Sequence, residues 1–284
     1  MEIINSPEEM QERAFALKRA GKTISCVPTM GFLHQGHLSL IRAARASADV
    51  LVVTIFVNPA QFGPSEDYRT YPRDPERDLR LCRQEQVDIV FAPEACDIYP
   101  DGYSTYIEET DLSRWLCGAN RPGHFRGVAT VVTKLFNIVQ PDLAYFGQKD
   151  YQQSRVIMKM VKDLNLPVRI EVCPIVREDD GLAMSSRNKY LNPEERQEAL
   201  CLYRALSRAE ELVISGEYSA AKIREEMEAV IGQEVHSRID YIEIRDGKTL
   251  EPRDQVGEGT LIALAVFIGK TRLIDNLVIG KVPG

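Results

Sequence analysis

The chain has 284 residues, of which 27% are charged, and a formal net charge of −7, which is typical of a globular protein with one or two domains. The acidic balance argues against a general nucleic-acid binder, because such a surface needs clustered Lys and Arg, but it is compatible with a local basic pocket for a small phosphate-bearing ligand. The polar N-terminus and the lack of about 18 consecutive apolar residues predict neither a secretory signal nor a membrane span.

The first part of the chain alternates short apolar runs with helical patterns. Strands are predicted over 22–28, 49–58, 87–93, 143–147 and 168–176, and helices over 37–48, 74–86, 127–142 and 150–167. This alternation predicts right-handed βαβ units and a Rossmann-like parallel sheet with helices on both faces. Such sheets bind ligands beyond the carboxyl ends of their strands, and the first strand meets its helix at that edge.

The sequence changes in character after residue 175. A polar, breaker-rich loop covers 177–196, and a loop of that length in a compact domain usually has a function. It leads into predicted amphipathic helices over 193–215 and 219–232, and then into β-like segments over 238–246 and 260–279. This order predicts a smaller C-terminal α+β domain, 176–284, after an N-terminal domain, 1–175.

The six cysteines are scattered and include no C-x-x-C pair. They are therefore interpreted as small core residues in a reducing compartment, not as a zinc site or a disulfide framework. A cytoplasmic location is the expectation.

The stretch PTMGFLHQGHLSL, residues 28–40, lies where the first predicted strand meets its helix. A helix starting near His37 would present unpaired N–H groups and a partial positive charge, which bind phosphate. Gly31 and Gly36 would permit a tight turn and close approach of a ligand. His34 and His37 would donate hydrogen bonds to a phosphate from one cavity. Packing or capping is the alternative role for the two histidines, but the strand–turn–helix context favours a nucleotide site.

HQGH resembles the H-x-G-H signature of the nucleotidyltransferase superfamily, which is related to class I aminoacyl-tRNA synthetases, and the whole stretch is similar to the pantothenate synthetase family. Further motifs agree with that family over essentially the whole chain: NPAQF (58–62), EDYRTYPRD (66–74), RPGHFRGV (121–128), GQKDYQQ (147–153), AMSSRN (183–188) and GKTRLIDN (269–276). One departure is Gln148, where the family usually carries Glu.

The resemblance implies a ligase that joins pantoate to β-alanine. The pantoate carboxylate would attack the α-phosphorus of MgATP, giving pantoyl-adenylate and pyrophosphate, and the amine of β-alanine would then displace AMP. The protein would hold the reactants in line, stabilise charge and exclude water from the mixed anhydride. ATP and Mg²⁺ are the implied cofactors, with Mg²⁺ on phosphate oxygens and no protein ligand predicted. The family also suggests a homodimer, with no nucleic-acid or membrane partner.

The resemblance assigns roles residue by residue. The implied catalytic residues are His34, His37, Lys149 and Arg187. The implied ATP-binding residues are Met30, Gly31, His34, Gly36, His37, Gly147, Lys149, Asp150, Val176, Met184, Ser185, Ser186 and Arg187. The implied substrate-binding residues are Asn58, Gln61, Phe62, Arg121, His124 and Gln153, with Gln61 and Gln153 assigned to pantoate.

Several of these residues have other interpretations when taken alone. Asp150 would be a helix cap next to a solvated Lys149, and only the family match favours ribose and phosphate contacts. Met184 to Arg187 resembles the mobile K-M-S-K-S loop of class I synthetases, where hydroxyls and an Arg fork suit the β- and γ-phosphates; a Ser-rich linker is the alternative.

The remaining candidate residues and segments also have more than one possible role. Phe62 would be a pocket wall or a core aromatic, and the Arg121–His124 pair would clamp an anion or cap a helix. The carboxylates of 178–180 could bind a metal ion, but a solvent-exposed loop is the more common role for such a cluster. GKT at 269–271 lacks the upstream glycine of a phosphate loop, and 63–74 is the candidate lid.

Two other function classes compete with the ligase. An adenylyltransferase would keep AMP in its product, but Gln61, Gln153 and the C-terminal domain resemble the ligase. A nucleotide sensor would bind ATP without needing the histidine pair. A tRNA-binding role is disfavoured by the charge and by the lack of an evident anticodon domain.

Overall fold

The computed structural model describes residues 1–64 and 66–280, which divide into two compact units. The first unit comprises Met1–Ser113, Gly118–Gln148 and Gln152–Pro174. The second comprises Arg114–Cys117, Lys149–Tyr151 and the described residues from Ile175 onward. The main division therefore lies between Pro174 and Ile175, and two short segments from earlier in the chain group with the second unit.

The first unit is built on a six-stranded sheet in which every pair of neighbours is parallel. Its strands are β1 (Glu2–Ile4), β2 (Ile24–Thr29), β3 (Val50–Ile55), β4 (Ile89–Phe91), β5 (Leu143–Gly147) and β6 (Arg169–Cys173). Their order is β1-β4-β3-β2-β5-β6. The order reverses between β2 and β5, so the switch point of a doubly wound sheet lies there. The predicted Rossmann-like sheet is confirmed.

Helices cover this sheet, and the sequence explains how they attach. Those of the chain up to residue 174 are α1 (Pro7–Arg19), α2 (Gln35–Arg45), α3 (Pro75–Gln84), α4 (Ala95–Ile98), α5 (Leu116–Asn120), α6 (His124–Val139) and α7 (Tyr151–Asp163). Helix α2 buries Leu38, Ile41 and Ala44 in one core cluster with residues of β2, β3 and β4. That helical spacing of apolar residues is the pattern from which the helix was predicted.

The helix predicted over 127–142 begins earlier in the structure. Helix α6 starts at His124 because Gly123, with φ 81°, provides a left-handed N-cap, a conformation that glycine adopts without a steric penalty. Residues 124–126 therefore belong to the helix and not to the preceding loop. Thirteen of the sixteen residues of α6 are buried, so the helix forms part of the core.

The first strand and helix were not predicted. Strand β1 has only three residues and pairs with β4, which lies more than 80 residues away in sequence. A local signal does exist for α1, because the Ser6 hydroxyl accepts the N–H of Glu9 at 3.2 Å and proline follows at the first helical position. Ser-Pro-Glu-Glu is thus a helix start that the sequence analysis passed over.

The second unit contains three helices and a separate antiparallel sheet. The elements are α8 (Pro193–Glu198), α9 (Cys201–Ile214), α10 (Ala220–Ile231), β7 (Ser237–Asp246), β8 (Thr260–Ile268) and β9 (Thr271–Ile279), with the strands in the order β7-β8-β9. The predicted α+β composition is confirmed. Gly269 and Lys270 form the turn between β8 and β9, so GKT is a hairpin and not a phosphate loop.

The single helix predicted over 193–215 is wrong. It is interrupted between Glu198 and Cys201, and all five residues from Glu198 to Leu202 are buried. Ala199 and Leu200 form a turn between α8 and α9. Apolar spacing alone does not reveal this turn, because both of its residues are buried like the helical residues beside them.

All six cysteines are free thiols, and Cys96 is the exposed one. Burial raises the pKa of Cys82 and Cys201 to about 12, so these thiols are inert packing groups, as predicted. Within 1–64 and 66–280, none of the helices has both the length and the apolar character needed to cross a bilayer.

Candidate active site

The topology brings two of the predicted motifs to one edge of the sheet. Strand β2 pairs with β5 through Ser25 opposite Leu143 and Cys26 opposite Ala144. The H-x-G-H stretch follows the carboxyl end of β2, and Gly147 is the last residue of β5. Both chain exits therefore lie at the switch point, where parallel sheets of this kind open a ligand crevice.

A left-handed turn connects β2 to α2. Gly31 and Phe32 have φ values of 78° and 50°, and the second is unusual for a residue with a side chain. The Thr29 hydroxyl accepts the N–H of Gly31 at 3.1 Å and donates to the carbonyl of Thr54 at 2.7 Å. A Cβ on Gly31 would approach Oδ2 of Asp78 to 3.0 Å, so glycine is required here both for its conformation and for space.

Asp78, which the sequence analysis did not single out, supports this turn from α3. Its carboxylate is 1% exposed and accepts the N–H groups of Phe32 at 2.7 Å and Leu33 at 2.8 Å. Burial raises the pKa of Asp78 and outweighs the opposite effect of the two hydrogen bonds. An acidic residue on the buried face of an amphipathic helix is a sequence signal that could have identified it.

The histidine pair lies at the start of α2. The helix begins at Gln35 with His34 as its N-cap, two residues before the predicted start. Gly36 is therefore in the first helical turn and not in the tight turn, contrary to expectation. The His34 and His37 rings are 4.0 Å apart at 38°.

One hydrogen bond determines which nitrogen of His37 carries the proton. The backbone N–H of His34 donates to Nδ1 of His37 at 3.3 Å. Nδ1 is then an acceptor, so in the neutral ring the proton resides on Nε2. The neutral His37 ring is therefore a donor at Nε2.

The NPAQF motif forms a short turn after β3 whose side chains are tightly held. The Asn58 amide donates to Oε1 of Gln61 at 3.0 Å and to the carbonyl of Gly127 at 3.1 Å. Its oxygen accepts the Tyr99 hydroxyl at 2.8 Å, and Asn58 is 1% exposed. The Gln61 amide lies 3.3 Å from the sulfur of Met30. This arrangement orients Gln61 through Asn58.

Three further residues that were predicted to bind the substrate differ in their surroundings. The Phe62 ring lies 5.5 Å from Tyr68 and 5.9 Å from Tyr71, and Gln153 is half-buried on α7. Arg121 pairs with the Glu66 carboxylate through two contacts of 2.7 Å. The proposed lid over 63–74 includes Ser65, which lies outside the described residues.

In the second unit, the loop that carries MSSR is anchored at both ends. An antiparallel bridge pairs Arg177 with Ala183, and the N–H of Met184 donates to the carbonyl of Val176 at 3.0 Å. The predicted ATP contacts Val176 and Met184 are therefore adjacent. Ser185 Oγ accepts the N–H of Arg187 at 3.2 Å, which caps the 3₁₀ turn Ser186–Tyr190.

Buried and half-buried ion pairs support this loop. Arg177 binds Asp275 at 2.6 and 3.0 Å, and the Asp275 side chain is 1% exposed. Arg196 binds Glu178 at 2.7 Å and Asp180 at 2.9 Å. These two carboxylates are thus engaged by an arginine, whereas the sequence analysis favoured a solvent-facing loop for them.

The second motif at the switch point continues into the second unit. Gln148–Asp150 form a 3₁₀ turn before α7, and the Lys149 carbonyl accepts the amide of Asn276 at 3.0 Å. The buried Asn276 belongs to the GKTRLIDN motif, which therefore holds the backbone of the predicted phosphate-binding lysine. That role was not evident from the sequence.

Among the described residues, one cluster has three potential metal ligands: Glu194, Glu198 and His236. None of the three was predicted as a site residue. The Nδ1 atom of His236 is 2.9 Å from Glu198, and this hydrogen bond together with the carboxylate charge raises the pKa of His236. An ion pair accounts for the geometry.

Comparison with known proteins agrees with the geometry. A family model described as pantoate–β-alanine ligase matches residues 2–278. Pantothenate synthetases from Thermosipho melanesiensis and Geobacter sulfurreducens are 57% and 55% identical, each over 99% of this chain and 100% and 99% of their own lengths.

Solved structures give the same result. Pantothenate synthetase from Thermus thermophilus has a TM-score of 0.94 and 45% identity, covering 99% of this chain and 100% of that one. Pantoate–β-alanine ligase from Francisella tularensis, complexed with "Beta-gamma ATP" and β-alanine, has a TM-score of 0.81 and 35% identity, covering 98% and 97%. This chain therefore belongs to the pantoate–β-alanine ligase family.

Proposed function

We propose that this chain condenses pantoate with β-alanine, using ATP, to give pantothenate, AMP and pyrophosphate through a pantoyl-adenylate. The observation that carries the proposal is the histidine-capped start of α2 at the switch point, in a chain that matches the ligase family from residue 2 to residue 278. A helix N-terminus there offers N–H donors and a partial positive charge to a phosphate.

The first step forms a bond between a pantoate carboxylate oxygen and the α-phosphorus, and it breaks the bond to pyrophosphate. Nε2–H of His37 donates to the α-phosphate as negative charge develops, and His34 and the Gly36 backbone complete that end of the helix. Preorganised donors of this kind contribute about 10²–10³-fold each to such steps. Met30 and Gly31 contact the nucleotide through the turn before α2.

The leaving pyrophosphate needs positive charge. Lys149 supplies a compact ammonium, while Arg187 supplies a planar fork that suits two phosphate oxygens. Ser185 Oγ accepts the N–H of Arg187, and its own proton can be donated to a phosphate. Ser186 is the second hydroxyl of the motif. Gly147, Asp150, Val176 and Met184 bind the nucleoside.

Pantoate is bound by the amides of Gln61 and Gln153, with Phe62 as an apolar wall. Amides can donate to the carboxylate and accept from the hydroxyls of pantoate. In the second step the neutral amine of β-alanine attacks the acyl carbon, the bond to AMP breaks, and the amine proton passes to solvent. Water is excluded because it would otherwise hydrolyse the anhydride.

The metal ion, the cellular location and the oligomeric state complete the proposal. Mg²⁺ enters as part of MgATP, which suits the described residues because Asp78, Glu178 and Asp180 are already occupied by N–H groups or Arg196. The reduced cysteines support a cytoplasmic location. A homodimer is proposed from the resemblance, and light scattering would measure it.

Omission of single substrates tests the reaction. With ATP, pantoate and β-alanine present, we expect AMP, pyrophosphate and pantothenate; with β-alanine omitted, labelled pyrophosphate should still exchange into ATP. Pantoate labelled with ¹⁸O in its carboxylate should transfer one ¹⁸O to AMP. ADP and inorganic phosphate, or unlabelled AMP, would refute adenylation.

A histidine comparison assigns the site. His37→Ala should lower kcat by about 100-fold or more, whereas His236→Ala, far from these motifs in sequence, should retain wild-type turnover. A stable adenylylated product would instead indicate an adenylyltransferase. ATP binding without turnover that survives His37→Ala would indicate a nucleotide sensor.

A further inference from the structure

Arg121 and His124 were predicted to contact the substrate directly, yet their polar atoms are used inside the first unit. The Nε and NH2 atoms of Arg121 each lie 2.7 Å from a different oxygen of Glu66. Its NH1 atom lies 3.0 Å from Nε2 of His124. The Nδ1 atom of His124 lies 2.9 Å from the backbone carbonyl of Gln61, and NH2 of Arg121 lies 3.4 Å from the same oxygen.

The chemistry of these partners determines the state of His124. A guanidinium only donates and a carbonyl only accepts. The Nε2 atom facing Arg121 is therefore an acceptor without a proton, and the Nδ1 atom facing the carbonyl carries it. His124 is a neutral ring in its Nδ1–H form, and it connects Arg121 to the backbone of Gln61.

The hydrogen-bonded network of Glu66, Arg121 and His124 is largely shielded from solvent, and its carboxylate stays ionised. The side chains of Arg121 and Glu66 are 14% and 24% exposed, and His124 is buried. Burial acts to raise the pKa of Glu66, but the hydrogen bond and charge of Arg121 outweigh it and lower that pKa. Glu66 is therefore ionised at neutral pH and neutralises the arginine.

Gln61 is held from a second direction by α6. Gly127 lies so close to the NPAQF turn that a Cβ would be 2.2 Å from the carbonyl oxygen of Ala60 and 2.6 Å from the nitrogen of Gln61. The Asn58 amide bridges from the Gly127 carbonyl to the Gln61 side chain. The Gln61 backbone and side chain are thus both fixed by groups on or beside this helix.

We propose that Arg121 and His124 are positioning residues, which hold the pantoate-binding amide of Gln61 in place through its backbone carbonyl, with Glu66 fixing Arg121. This inference rests on the proposed function. The arginine charge is balanced by Glu66, so this part of the site recognises pantoate through neutral amide hydrogen bonds. Such a site discriminates by hydrogen-bond geometry more than by charge.

Two amide substitutions at His124 distinguish the contribution of its Nδ1 atom from that of its Nε2 atom. His124→Asn places an N–H near the position of Nδ1 and keeps the donor to Gln61, whereas His124→Gln extends toward the position of Nε2. We expect His124→Gln and His124→Phe to raise the KM for pantoate about tenfold, the factor that 1.4 kcal/mol corresponds to. His124→Asn should stay within about threefold of wild type, and kcat and the KM for ATP should change little in all three.

A double-mutant cycle tests whether the effect passes through Gln61. After Gln61→Ala, adding His124→Phe should raise the KM for pantoate by less than about twofold, because the amide that His124 positions is already absent. Losses that multiply would overturn the proposal. So would an equal loss in His124→Asn and His124→Phe, which would indicate direct substrate contact. Thermal melting of each variant checks that it is folded.

The tautomer gives a readout independent of catalysis. Long-range ¹H–¹⁵N spectra near pH 7 should show a neutral ring in the Nδ1–H form whose signal is absent in His124→Phe, which assigns that signal to His124. An Nε2–H or doubly protonated His124 would overturn the network. Failure of wild type to make pantothenate would reject the proposed function instead, and the spectrum would still test the contacts.

Discussion

Replacing Gly127 by Ala tests the contact between α6 and the NPAQF turn. The new Cβ would lie 2.2 Å from the Ala60 carbonyl oxygen and 2.4 Å from its carbon. Real Cβ contacts essentially never fall below 3.0 Å, so the helix and the turn have to separate by about 0.8 Å. Both partners are backbone, so no flexible side chain can absorb the movement.

The cost in stability follows from three contributions. Overpacking costs about 1–3 kcal/mol, and loss of the Asn58 hydrogen bond to Gly127 adds about 1 kcal/mol. The higher helix propensity of alanine offsets about 1 kcal/mol of this loss in stability. We therefore expect the free energy of unfolding to fall by about 1–3 kcal/mol, measured by denaturant titration.

Activity should fall further than stability. A displacement near 1 Å of a positioning group can cost about 10²-fold, and Gln61 is the group displaced. We expect kcat/KM for pantoate to fall about 10- to 100-fold, with the KM for ATP nearly unchanged.

The matched control is Gly257→Ala. Its Cβ would meet nothing within 4 Å and its φ is not in the left-handed region. It should therefore be close to neutral in both assays. If Gly127→Ala behaves like this control, the close approach of α6 to the turn is refuted.

Three further predictions concern groups outside the phosphate contacts. Asp78→Asn replaces one of the acceptors for the N–H groups of Phe32 and Leu33 by a donor. It should lower the free energy of unfolding by about 1–3 kcal/mol, partly offset by relief of a buried charge. The control Asp74→Asn changes the N-cap of the same helix and should be nearly neutral, so equal melting curves for the two variants would contradict the role of Asp78. Arg177→Met strands the buried carboxylate of Asp275 and should lower the free energy of unfolding by about 3–5 kcal/mol. Arg208→Met, which breaks a half-exposed pair with Glu226, should have a much smaller effect, and denaturant midpoints compare the two. Because Glu198 raises the pKa of His236, the stabilisation from that pair is fully present below about pH 6.5 and is lost as the pH rises through the raised pKa. Glu198→Gln should flatten this dependence, and parallel melting temperatures for wild type and variant from about pH 6 to pH 8.5 would exclude it.

The sequence by itself determined the features that depend on local patterning. Helical spacing in α2 and short apolar runs in β2 and β3 define the alternating elements, and alternation with crossovers of that length leads to a parallel sheet. Because such a sheet binds ligands at the carboxyl ends of its strands, the H-x-G-H stretch could be assigned to a nucleotide site. Family motifs then supplied the reaction and the remaining site residues, whose roles stay predictions.

Tertiary structure alone decided which polar groups serve the protein and which are available to a ligand. Asp78 accepts N–H groups 45 and 46 residues away, and Glu66 neutralises Arg121 across 55 residues. Spacing along the chain carries no information on such pairs, because they form only when the sheet brings separate elements together. The same reason explains why β1 was missed: this strand depends on its pairing with β4, and local propensity does not encode that pairing.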